Sequence, residues 1–261
     1  MVVTKNMANH HAHLSPDGFA EHAEALREHH AGMMSWGIRD GHYLQWMKGV
    51  STDAKILEIG AGSGALAAKL QEQGWKNIFL ADIDNYLSVP SAKQLSFVRW
   101  NANTDRLPFE NGSLDVVFAL QIVEHLENVW HATREMARVL RVGGRCIISL
   151  PEGLSLISRF RFLLSGNVMG YDEKNDHIAF FPRAVWKKMI DPSFKTIQVD
   201  WSEPFLKLGK RKLRFPRWPF LQRCLSRKVC YVLERIERQE VVPEWKPFGH
   251  IASEERDSGT V

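Results

Sequence analysis

A doubly wound α/β fold on a mostly parallel sheet is what this 261-residue chain predicts. Three observations carry the prediction. Between Lys55 and Leu150, short apolar runs alternate with helical periodicity. The first apolar run ends in Gly60-Ala61-Gly62-Ser63-Gly64, a glycine at every second position, with a helical pattern directly behind it. A hydrophobic content of 44% and a charged content of 25% suit an ordinary globular core.

The elements follow in order. The first 50 residues carry Ala, Glu, Leu and His without a strand-like run, and read as a helical arm over the ligand cleft. Strands are expected at Lys55–Ile59, Asn77–Ala81, Ser96–Arg99, Leu114–Ala119 and Arg145–Leu150, each a short apolar run of the buried parallel type. Helices are expected at Ala65–Gln73 and Asn128–Leu140. In the second, Val129, Ala132, Met136, Val139 and Leu140 recur near a 3.6 period, and Gly143-Gly144 should stop it. Beyond Pro151 the alternation weakens. Leu154–Leu164 and Arg183–Ile190 read as helices and Phe194–Trp201 as a strand, while Val229–Ile236 fits either state. The expected organisation is an arm or lid (1–50), a core (51–204) holding an acceptor-side insertion (151–182), and a segment (205–261) that completes or flanks the sheet.

Bulk properties exclude several classes. A net charge of +4 is too small to argue for nucleic acid by itself. No apolar run reaches the roughly 18 residues of a membrane span. The N-terminus lacks the apolar region of a secretory signal, and three cysteines form neither a metal spacing nor an even framework, so a reducing cytoplasm is the expected setting. Seven of the eleven histidines precede residue 50. No carboxylate or cysteine set completes a ligand constellation around them, so no metal site is assigned.

The glycine loop is a nucleotide-binding device. Glycines let the chain turn sharply and let a ligand lie against main-chain N–H groups. The helix N-terminus behind them adds unpaired donors and positive partial charge. Asp82 and Asp84 follow about 20 residues later, placed to accept from ribose hydroxyls. These features alone narrow the ligand to an adenosine cofactor, leaving NAD and other adenosine compounds open.

The surrounding motifs add a family resemblance. Glu58-Ile59-Gly60-Ala61-Gly62-Ser63-Gly64 resembles the first motif of class I S-adenosylmethionine-dependent methyltransferases. Leu107-Pro108-Phe109 with Ser113-Leu114-Asp115-Val116-Val117, then Ile122-Val123-Glu124-His125-Leu126, then Arg138-Val139-Leu140-Arg141-Val142-Gly143-Gly144 are similar to later motifs of that family, in the family's order. The resemblance implies a Rossmann-like, seven-stranded sheet and S-adenosylmethionine as cofactor. It implies that Gly60, Ala61 and Gly62 pass their backbone against the methionine end and that Glu58 orients the ammonium. Asp82 would accept from the ribose, with Ile83 against the adenine. Asn101 and Ala102 would line the other side of that ring, and Gln121 would lie near the sulfonium. Leu114 and Val142 depart from the family's usual Phe and Pro, and Asn101 or Asn103 stands where an acid is common.

For an oxygen acceptor the candidate bases are His125 and His177, the latter in Asn175-Asp176-His177-Ile178-Ala179-Phe180-Phe181-Pro182. The acceptor is expected to be a small molecule, a glycan or a lipid-linked compound. Two alternatives stand beside this reading: an NAD-dependent oxidoreductase, and a non-catalytic scaffold of the same fold. Phe205–Lys228 holds nine Lys/Arg and no acid, interleaved with Phe215, Trp218 and Phe220. It reads as a solvated face, as a patch for peripheral contact with anionic lipid, or as an RNA strip, with lipid preferred for its aromatics.

Overall fold

The computed structural model describes residues 35–173, 175–202, 204–208 and 211–237. The histidines before residue 35 and the tail from residue 238 lie outside the described residues. The strands are β1 (Lys55–Ile59), β2 (Asn77–Asp82), β3 (Ser96–Arg99), β4 (Leu114–Leu120), β5 (Leu140–Pro151), β6 (Phe194–Trp201), β7 (Phe205–Leu208), β8 (Arg211–Arg214) and β9 (Lys228–Arg235). Seven of them form one sheet in the order β3-β2-β1-β4-β5-β9-β6. The first five pair in parallel, and β9 is antiparallel to both neighbours. The chain order reverses at β1, between β2 and β4, and such a switch point opens a crevice at the strands' carboxyl ends.

Alternating side chains feed two cores, one on each face of the sheet. Leu57, Val117 and Ile148 face helices α4 (Val129–Val139) and α6 (Arg183–Ile190), which bury Met136, Trp186 and Met189. Ile56, Leu80, Phe118 and Ile147 face α3 (Ala65–Glu72), which buries Leu66 and Leu70. On this second face also lie two short N-terminal helices, α1 (Trp36–Arg39) and α2 (Tyr43–Trp46). Trp46 is fully buried there, its Nε1 donates to Asp200 on β6, and Arg145 on β5 donates to the Trp46 and Lys48 carbonyls. This described part of the arm is core material on the sheet face, because Tyr43, Trp46 and Met47 are too apolar to stand in water.

Two local expectations change. The helix expected to run to Leu140 ends at Val139, and β5 already pairs Leu140 with Leu114 before it resumes at Arg145 opposite Val116. Gly143 (φ 76°) and Gly144 therefore form a bulge inside the strand instead of stopping a helix. A Cβ on Gly144 would lie 2.9 Å from two carbonyl oxygens, so the bulge needs glycine. The undecided stretch at 229–236 is strand β9: Val229, Cys230, Val232 and Leu233 are buried on both faces, which the centre of a sheet requires.

Two insertions leave the sheet at its carboxyl end. Pro151 closes β5 opposite Lys228, the first residue of β9. Helix α5 (Leu156–Ser165) follows β5, capped by the Ser155 hydroxyl and ended by Gly166 in the left-handed conformation. The hairpin β7–β8 and helix α7 (Pro219–Leu225) precede β9. The basic segment thus flanks the sheet, and α7 packs on α5.

Candidate active site

At the carboxyl end of β1 the chain turns through Gly60 (φ 68°), Gly62 (φ 49°) and Gly64 (φ 80°). Packing constrains two of these. A Cβ on Gly64 would sit 2.4 Å from Ala92 Cβ, and one on Gly60 would sit 3.0 Å from Ile122. A Cβ on Gly62 would meet nothing within 4 Å, so the middle glycine faces open space. Asp82 fastens the loop from the end of β2, its Oδ2 accepting from Gly62 N–H at 2.9 Å and its Oδ1 from Ile83 N–H at 2.8 Å. Burial raises Asp82 to about 6 despite these donors.

Glu58 lies beneath the loop, buried. It accepts from the Ala67 N–H in the first turn of α3, while Oε2 is buried with no partner. Burial drives its carboxyl up to about 8, with the Asp82 charge adding to the rise. A buried carboxyl oxygen without a partner is costly to ionise until a cation or donor meets it. Ile83 exposes its side chain (47%) just past Asp82, an apolar platform at the crevice edge.

Trp100 N–H donates to the Asp82 carbonyl, which sets the turn after β3 beside that platform. Asn101 accepts with its Oδ1 from Asn103 N–H, and Ala102 is buried. Gln121 follows β4 with φ 57°, the one non-glycine at positive φ among the described residues. Two bonds to Ser149, from the backbone N–H (2.9 Å) and from Nε2 (3.4 Å), hold this unfavourable conformation. Such strain is typical of functional sites.

The next turn, a 3₁₀ segment Val123–His125, receives the insertion that follows β5. The Glu124 carbonyl accepts from both Ile178 and Ala179 N–H, at 2.8 and 3.0 Å, and so clamps the insertion after β5 onto this turn. The clamp brings His125 and His177 together with ring centroids 4.7 Å apart, edge to face. His177 Nδ1 bonds the Gly170 carbonyl, and Tyr171 packs on its ring. His125 Nδ1 lies 3.0 Å from Asp176 Oδ1, an ion-pair distance without hydrogen-bond alignment. Burial lowers His177, helped by the His125 charge. Burial also opposes charge on His125, but Asp176 and Glu124 outweigh it and the group is raised.

All eleven residues singled out in the sequence therefore gather at one end of the sheet, around β1 to β4 and the turn that receives His177. Sequence reasoning passed over the Glu124 carboxylate, fully buried with neither oxygen bonded, and over Gly170 and Tyr171. The apolar neighbours Ile122, Val123 and Leu126 hinted that Glu124 is buried, but nothing local announces Gly170.

A family model described as "Methyltransferase domain" matches residues 57–148, from the glycine loop to β5. The chain carries a class I S-adenosylmethionine-dependent methyltransferase domain. Among curated relatives, it is 34% identical over 116 residues to the ubiquinone/menaquinone biosynthesis C-methyltransferase UbiE of Pseudomonas fluorescens, covering 39% of this chain and 43% of that protein. It is 27% identical over 150 residues to the 27-O-demethylrifamycin SV methyltransferase of Amycolatopsis mediterranei, covering 48% of this chain and 52% of the relative. The chain thus spans about half or less of the length of the curated relatives it matches. In fold it is similar to a SAM-dependent methyltransferase from Archaeoglobus fulgidus (TM-score 0.54, 17% identity, 83% of this chain and 97% of that one). It is similar also to the YcgJ protein of Bacillus subtilis (TM-score 0.52, 14% identity, 76% and 98%). These matches lend no support to an oxidoreductase.

The domain implies S-adenosylmethionine as cofactor, and the residues fit it. The unpartnered Glu58 Oε2 suits an ammonium, the open side of Gly62 suits a close-lying amino-acid tail, and exposed Ile83 beside Asp82 suits a nucleoside.

Proposed function

We propose that this protein is a methyltransferase that methylates an oxygen of an amphipathic, lipid-linked acceptor. The observation that carries the transfer step is the contact between two half-sites: Gly60 of the cofactor loop packs on Ile122, one turn before the His125–His177 pair. Bound S-adenosylmethionine supplies an electrophilic methyl on a sulfonium. Glu58 and Asp82 hold the two ends of that molecule, and Gln121, locked by Ser149, shapes the wall between cofactor and acceptor. His177, kept neutral by burial, takes the acceptor's proton, and its Nδ1 bond to Gly170 keeps the ring in place. Holding oxygen and methyl in near-attack geometry supplies several kcal/mol or more of rate enhancement.

The surface beside the site supports a lipid-linked acceptor. Helix α5 exposes Leu163 (80%) and Leu164 together with Phe160, and its partner α7 exposes Phe220 (74%) next to Trp218. Arg159 belongs to α5, Arg223 to α7, and Arg217 precedes Trp218 in the chain. Both insertions leave the carboxyl end of the sheet, where the cofactor loop lies. Exposed apolar side chains on helices that also carry arginine are the composition of an interfacial patch on an anionic bilayer. Among the described residues no helix is long and apolar enough to cross a membrane.

Two assays test the proposal together. Calorimetry with S-adenosylmethionine and S-adenosylhomocysteine should show saturable binding, lost in Gly62→Val. Co-sedimentation should show binding to phosphatidylglycerol vesicles and none to neutral ones, lost in the Leu163→Glu/Phe220→Glu double variant. Equal retention on both vesicle types, or none on either, would remove the lipid part. Absent response to both sulfur compounds would remove the methyl-transfer part.

A further inference from the structure

The Glu124 carboxylate is fully buried and neither of its oxygens has a hydrogen-bond partner. An ionised carboxylate left bare in a protein interior is costly unless a cation or donors meet it. Lys228 acts on it through its charge but donates it no hydrogen bond. Two imidazole nitrogens lie near it: one ligand atom each from Glu124, His125 and His177 lies within 4.8 Å of the others.

The neighbours of the two imidazoles have the character of outer partners around a metal. His177 donates Nδ1–H to the Gly170 carbonyl, which leaves the Nε2 lone pair available. The Asp176 carboxylate stands 3.0 Å from His125 Nδ1. A hydrogen-bonded carbonyl of this kind orients a metal-bound histidine and raises its basicity, and a small turn of the His125 ring would bring Asp176 into the same role. The carbonyl of Glu124 itself registers the segment bearing His177 through Ile178 and Ala179, so ligands from two distant stretches arrive on one scaffold.

We propose that Glu124, His125 and His177 bind a divalent transition-metal ion of the zinc type. Two imidazoles and one carboxylate suit Zn²⁺, Co²⁺ or Mn²⁺ better than Ca²⁺ or Mg²⁺, which favour oxygen ligands. With bonds of about 2.0–2.2 Å, donors in a tetrahedral site lie roughly 3.5 Å apart, so side-chain rotations of about an ångström must close the cluster. Three protein ligands leave a fourth position for water or an exogenous oxygen. This part rests on the methyltransferase reading: the ion would there bind the acceptor hydroxyl and lower its pKa so that the proton leaves to water, the role that His177 fills when no ion is bound. Binding of the ion does not rest on it.

The test reads the metal directly, without acceptor. The full chain is used with His10, His11, His13, His22, His29 and His30 changed to Ala, stripped with chelator, and titrated with Co²⁺ and then Zn²⁺. One equivalent of Co²⁺ should give visible ligand-field bands that Zn²⁺ abolishes. His177→Ala should weaken binding at least 100-fold and Glu124→Gln at least tenfold, while His131→Ala, on the exposed side of α4, leaves it unchanged. S-adenosylhomocysteine binding serves as the folding control for each variant. Lys228→Met gives an independent check, since removing a neighbouring positive charge should tighten Co²⁺ several-fold. No saturable Co²⁺ binding, or binding indifferent to His177→Ala in a variant that still binds S-adenosylhomocysteine, overturns the proposal. Turnover with and without chelator is then measured separately, so that failure of the metal site and failure of the transfer reading give different results.

Discussion

The two halves of the crevice are built on opposite plans. On the cofactor side, polar groups are largely satisfied by the chain's own backbone: Asp82 bonds Gly62 and Ile83, Glu58 bonds Ala67, and Asn101 bonds Asn103. A single orphan, Glu58 Oε2, remains there. On the acceptor side both Glu124 oxygens are orphaned, and two histidines meet only because a loop from beyond β5 is clamped onto the turn after β4. A pre-formed cradle suits a cofactor with constant demands. A half-satisfied cluster suits a reacting group whose charge changes during turnover.

The largest effect should appear on the acceptor side alone. Changing His125 and His177 together to Ala is expected to cut kcat by about 10²- to 10⁴-fold. Calorimetric affinity for S-adenosylmethionine should move less than about twofold. An equal loss in both measurements would erase the distinction between the halves. Next comes Gly62→Val, which should weaken the cofactor by about 100-fold, or roughly 2.7 kcal/mol. Its Cβ meets no atom of the protein, although φ 49° strains a β-branched residue, so its melting temperature is read beside that of Gly64→Ala, whose Cβ collides with Ala92. For Gly64→Ala the expected cost is about 2–3 kcal/mol of folding stability, read from denaturant melts.

Asp82→Asn tests how far the loop fastener also serves the ligand. It keeps an acceptor for one backbone N–H, and should weaken S-adenosylmethionine by about tenfold while S-adenosylhomocysteine weakens equally. A loss confined to one of the two would point to the sulfonium and not the ribose. The smallest effect is on stability against pH. Glu58 is raised to about 8, Glu124 to about 7 and Asp82 to about 6, all by burial. The unfolded chain releases these protons near ordinary carboxylate values, so their contribution is full below about pH 4 and is lost as pH climbs toward 8. The cofactor-free protein should therefore melt a few degrees lower, roughly 3–6 °C, at pH 8 than at pH 6. Glu58→Gln should flatten that slope. S-adenosylmethionine should flatten it too, because its ammonium favours the ionised Glu58, and its affinity should rise with pH up to about 8.

The cofactor side was legible because its determinants are contiguous. An apolar run, alternating glycines and a helical start encode strand, turn and helix within a dozen residues, and Asp82 follows at the spacing of one strand–helix–strand unit. Even there, the split of Glu58 into one bonded and one bare oxygen depends on where α3 docks. The Gly143-Gly144 pair misled at short range because a helix stop and a strand bulge ask for the same residue. Val229–Ile236 stayed undecided because a strand buried on both faces has no alternation to read.

By itself the sequence determined the layered α/β architecture and the glycine turn at the carboxyl end of β1. Those follow from local backbone preference and periodic burial, which neighbouring residues set among themselves. Only the tertiary structure decided that Glu124, His125 and His177 share one cluster, and that α5 and α7 place their exposed apolar faces at the same end of the sheet. These meetings depend on the length and path of two insertions. Their chain-closing geometry is settled by packing across the sheet, which no run of adjacent residues contains.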